Sequence, residues 1–136
     1  MKKLTIFLCA LICLSMLVAL TSCKTTANIS VDEENSYFSD YVIEDDKVYI
    51  KCHVILTNTY DAEKTVNLSA KLPQDAASGL LKDEKINALN EDESQATFVL
   101  PPNSSESFDV VFVGDFAGYE RKYDKHLPEM IIEIVE

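Results

Sequence analysis

The chain has 136 residues, 47% of them hydrophobic and 26% charged, with three Gly and no Trp, a composition that excludes collagen-like, mucin-like and wholly disordered readings. Twelve Lys and Arg stand against 23 Asp and Glu, a formal net charge of -11, so nonspecific attraction to nucleic acid phosphates is excluded as a working principle. The length suits one domain, since about a hundred residues can bury a core without staples.

The chain opens Met1-Lys2-Lys3 and runs apolar from Leu4 to Leu20 with only Thr5 and Ser15 interrupting, a charged n-region followed by an apolar h-region. This reads as a signal helix outside the fold. Leu20-Thr21-Ser22-Cys23 then resembles the lipobox of bacterial prolipoproteins, in which an aliphatic residue and two small ones precede an obligatory cysteine. The resemblance implies a type II signal peptide over residues 1–22 and a lipidated Cys23, since only a thiol can become the thioether that carries diacylglycerol. Two or three acyl chains at about 0.8 kcal/mol per buried CH₂ would make the membrane anchor effectively permanent. Even an uncleaved span would leave Lys2 and Lys3 inside and the remainder outside. Localisation is therefore expected to be extracytoplasmic. The face is the outside of the cell membrane, or the outer membrane in a two-membrane bacterium, where Lys24 after the cysteine fits that sorting.

Processing would remove Lys2 and Lys3 and no acid, leaving ten bases against 23 acids and a net charge of -13. Cys9 and Cys13 fall in the signal and Cys23 takes lipid. Cys52 is then alone, without an intrachain disulfide partner, and its place in an apolar alternation predicts a small core residue. Residues 23–36 read as lipidated cysteine and polar tether, closing with a short apolar patch at Ile29 and Val31.

From residue 37 the dominant period is two. Val48, Ile50, Cys52, Val54 and Leu56 alternate with polar positions over Lys47–Thr57, and Val66, Leu68, Ala70 and Leu72 do so over Thr65–Leu72. Asn58–Glu63 between them is a turn. Ala96, Phe98 and Leu100 predict a third strand, broken by Pro101-Pro102-Asn103-Ser104-Ser105. Phe108, Val110 and Phe112 predict a fourth, and Met130, Ile132 and Ile134 the last; Tyr41–Ile43 or Ile29–Val31 can supply a first. Asp75–Asn90 fits neither period, so one short helix or an edge strand near 79–90 would serve. About seven short strands with turns between them predict an all-β, antiparallel sandwich over 37–136. The runs VILTNT, TVNLSAKL and LPPNSSESFDVVF resemble the immunoglobulin-like domains of bacterial surface lipoproteins, with Asn58 ending the second strand. The core Trp and paired cysteines of antibody domains are missing.

For catalysis the chain after Cys23 offers His53, His126, one Cys and none of G-x-S-x-G, H-E-x-x-H or a phosphate-binding Gly loop, so no enzyme is expected. Glu44-Asp45-Asp46 and Glu91-Asp92-Glu93 lack the spacing and Gly of a Ca²⁺ loop and read as solvated turns, so no metal or cofactor is expected. The unusual segment is Gly114–Pro128. It joins Phe116, Tyr119 and Tyr123 to Arg121, Lys122, Lys125 and His126 in an otherwise acidic chain, the residue types of binding hot spots. The expectation is a noncatalytic interaction module contacting an envelope protein or polymer through this loop. An acidic inhibitor or immunity-type lipoprotein against a basic secreted protein is the alternative, and a metal or small-ligand carrier comes third.

Overall fold

A computed structural model describes residues 26–119 and 126–135. Eight antiparallel strands and one short helix follow in the order β1 (Ile29–Val31), β2 (Tyr37–Glu44), β3 (Lys47–Asn58), β4 (Lys64–Lys71), α1 (Pro73–Ala77), β5 (Lys85–Ala88), β6 (Phe98–Leu100), β7 (Ser104–Asp115) and β8 (Glu129–Val135). The long alternating runs set the frame. β3 pairs with β7 along its whole length, from Lys47 opposite Asp115 to Asn58 opposite Ser104, and carries β2 and β1 end to end on its other edge. β4 pairs with β8 on one edge and with β5 and β6 on the other. β5 is also bonded to β7 at Asn87 and Ala88, which joins the two layers along one flank into a nearly closed sheet.

Successive strands β3 and β4 lie in opposite layers, and so do β7 and β8, while β3 neighbours β7 and β4 neighbours β8. This interlocked, nearly closed antiparallel arrangement is an all-β, sandwich- or barrel-like fold. Between the layers lie Val48, Ile50, Cys52, Val54 and Leu56 from β3, Val66, Leu68 and Ala70 from β4, and Val110 and Phe112 from β7, all buried. Each large aliphatic side chain so enclosed contributes about 1.5–3 kcal/mol. Phe98 and Phe108 meet edge to face at 5.0 Å between ring centres.

Three sequence expectations change in detail. Both candidate first strands form, so the sheet begins at Ile29, inside the segment read as tether. β2 is longer than its alternation suggests because the register slips between Phe38 and Asp40, where Ser39 bulges out and its hydroxyl donates to the Lys51 carbonyl at 3.0 Å. The ambiguous stretch is a five-residue helix and then a strand, joined by Leu80 and Leu81, both buried. The expected signal helix, Leu20-Thr21-Ser22 and Cys23 lie outside the described residues.

Candidate functional site

The segment from Gly114 leaves β7 at the pole where the β2–β3 turn and α1 also lie. Asp45 and Asp46 form that turn with φ of 50° and 60°, and the Asp46 carbonyl accepts the Phe116 N–H at 2.9 Å. The next residues run antiparallel to the chain that follows α1. Lys82 N–H donates to the Asp115 carbonyl at 3.0 Å, Ala117 N–H to Leu80 at 2.9 Å and Tyr119 N–H to Gly79 at 3.1 Å. Gly114 permits this close approach, because a Cβ there would stand 2.7 Å from Ile86 Cγ2 and 2.8 Å from Leu81 Cδ2. Gly118, at φ +102° in open space, is needed for its backbone alone.

The predicted contact residues divide. Phe116 is half-buried against the core and anchors the segment, whereas Tyr119 is 62% exposed at the pole. His126 is exposed beside a cleft of about 180 Å³ lined also by Lys71, Pro73, Gln74, Asp75 and Glu129. Arg121, Lys122, Tyr123 and Lys125 lie outside the described residues.

The fold adds what sequence reasoning missed. Lys47, Lys71, Lys82 and Lys85 stand at or near element ends that reach this same pole. Acids interleave with them. Lys47 Nζ donates to Asp115 Oδ1 at 2.9 Å, and this hydrogen bond and charge pairing hold Asp115 below the usual carboxylate range and Lys47 above the usual amine value.

On the flank, a larger cleft of about 540 Å³ opens beside β7, lined by Tyr49, Lys51, Glu91, Glu93, Asp109 and Val111 among others. At its margin a row crosses three strands. The Tyr37 ring stacks on His53 with centres 5.2 Å apart, and His53 Nδ1 lies 2.9 Å from Asp109 Oδ1. Alternation places His53 on the outer face, but its partners follow from strand register, which the sequence does not carry. Among the described residues no three His, Cys, Asp or Glu side chains converge as a metal site, and no helix there is long and apolar enough to cross a membrane.

A scan against protein-family models and searches of curated proteins and of solved structures found no match to the chain. The functional reading therefore rests on the chain's own residues.

Cys52 is a core residue and not a site. Its thiol is 2% exposed between the layers, and burial pushes its pKa up to about 12, so it holds neither the thiolate nor the access that reactivity requires.

Proposed function

We propose that the protein is a lipid-anchored extracytoplasmic lipoprotein of a bacterial envelope, and that its sandwich is a noncatalytic module contacting an envelope protein or polymer through residues 114–128. One observation supports this reading: the chain enters the sheet at one end of β3, and the segment after β7 lies at the other. The chain coming from Cys23 joins the sheet at Ile29, opposite Asn58, and Asn28 is tied there to Thr59 through its backbone N–H at 2.7 Å. The Asp115–Tyr119 segment lies at the other end of β3, beyond Lys47. Twelve residues at about 3.3 Å each separate the two poles by nearly 40 Å. The five residues 24–28 reach about 17 Å when extended, which holds the tethered pole near the lipid head groups and turns the Tyr119 pole away from them.

Lipid attachment is tested by growing cells with a labelled fatty acid. Wild-type protein is expected to carry the label and Cys23→Ala to lose it; equal labelling of the two would remove the anchor from the account.

The acid-lined flank cleft, with Glu91, Glu93 and Asp109, favours a second reading in which the domain antagonises a basic secreted protein. Binding of that kind weakens steeply with salt, whereas recognition through Tyr119 and apolar contacts does not.

A further inference from the structure

The second layer is open along one side. β8 is bonded to β4 from Glu129 to Val135 without a register break, and among the described residues no strand and no turn contact bonds to its outer edge. β1 and β8 approach one another across this opening without pairing. The core side chains record the gap. Ile134 lies opposite Val66, which is fully buried, yet Ile134 itself is 41% exposed. Met130 and Ile132, on the same inward face, are only half-buried.

An unpaired edge is a template for another strand unless a bulge, a Pro or a Lys blunts it. β2 has its bulge at Ser39; β8, reading EMIIEIV, has no bulge, Pro or Lys, and its only charges are the exposed Glu129 and Glu133, which admit a basic strand and repel an acidic one. We propose that the outer edge of β8 is a strand-addition site whose occupant is an extended basic and apolar segment of a partner protein. Backbone hydrogen bonds to alternate residues would supply affinity and the side chains would supply choice. Inward positions would meet Met130, Ile132 and Ile134 and must be apolar. Outward positions would stand beside Glu129 and Glu133, so the segment carries Lys or Arg at two sites four residues apart. Charge decides against a second copy: antiparallel pairing about Ile132 sets apolar residues against one another, but it gathers four Glu on one ribbon between two chains of net charge -11.

The test uses the full chain in lipid nanodiscs and a nine-residue peptide with valine at even positions, lysine at the third and seventh, and threonine elsewhere. Amide hydrogen exchange across 129–135 is expected to slow at alternate residues. Glu133→Lys, an exposed change that gives up the 3.7 Å ion pair with Lys85, is expected to weaken the lysine peptide about five- to tenfold and to strengthen a glutamate-substituted peptide by a similar factor, whereas Glu133→Gln, which loses the same pair without reversing the charge, strengthens neither. Slowing at β2 or β7 instead, equal binding of both peptides by both proteins, or no slowing at millimolar peptide would each overturn the proposal. Slowing of β8 that rises with protein concentration and needs no peptide would overturn it too, by giving the edge to a second copy.

Discussion

Asn58 holds together the pole where β1 joins the sheet, and replacing it is expected to cost more than any other single polar change in the described domain. The residue ends β3 fully buried. Its Nδ2 donates to the carbonyls of Ala62 at 3.0 Å, Leu100 at 3.2 Å and Pro101 at 3.0 Å, and its Oδ1 accepts the Tyr60 N–H at 2.9 Å. One amide thereby ties the β3–β4 turn to the end of β6. Asn58→Leu conserves volume but strands one N–H and the Leu100 carbonyl with no route to water. At about 1–3 kcal/mol for each orphaned group the loss is roughly 3–5 kcal/mol, a large part of a small domain's stability. Asn58→Asp keeps the acceptor for Tyr60 but turns a second oxygen on three carbonyls, so ionisation is opposed and the folded pKa of the new acid rises above its unfolded value of about 3.9. The sign follows. Below that value both states are protonated and the variant is least impaired; as pH rises towards the folded pKa the unfolded state ionises first, and stability falls. Equilibrium urea unfolding followed by circular dichroism, at pH 4 and pH 7, measures both effects. A loss under 1 kcal/mol for Asn58→Leu, or an Asn58→Asp deficit independent of pH, would refute this account of the pole.

Cys52 is expected to resist thiol reagents at pH 8 until the domain unfolds; since its folded pKa of about 12 exceeds that of an unfolded thiol, stability should also fall above about pH 8.5, and Cys52→Val should abolish that slope. Rapid labelling of the native protein would show the thiol to be accessible. Replacing Asp45 and Asp46, both at positive φ, by Asn and Gly is expected to raise stability by about 1 kcal/mol, because the two-residue hairpin needs that backbone and Gly adopts it without strain. An unchanged denaturation midpoint would count against the turn geometry. Gly114→Ala is expected to cost about 1–3 kcal/mol as Ile86 and Leu81 are pushed aside; a neutral result would mean that this corner of the core is loosely filled.

The central strands were legible because their alternation is strict: Val48 to Leu56 and Val66 to Leu72 each face the core at every second residue. β2 was only half legible, since the bulge at Ser39 spaces its inward residues as Phe38, Tyr41 and Ile43, three apart and then two. Leu80 and Leu81 defeat either period because both are buried on adjacent residues where the chain turns from α1 towards β5. The first turns of β7 were invisible for another reason. Ser104–Ser107 carries no apolar residue, and the strand is set by its partner, with the Ser105 and Thr57 hydroxyls 2.8 Å apart. Register likewise governs the candidate sites. Tyr119 and His126 could be singled out by residue type, but neither the lysines that share their pole nor the Tyr37–His53–Asp109 row could, because those neighbours belong to other strands.

The central claim, an interaction surface on the pole away from the membrane, is tested most directly by photo-cross-linking in the cells that make the protein. A photoreactive residue is placed at Tyr119, and separately at Tyr60 on the opposite pole. The account predicts a reproducible adduct from position 119 that disappears when Arg121 and Lys122 are reversed to acids, and none from position 60. Adducts of equal yield from both positions, or an adduct at 119 that survives the reversal, would contradict it.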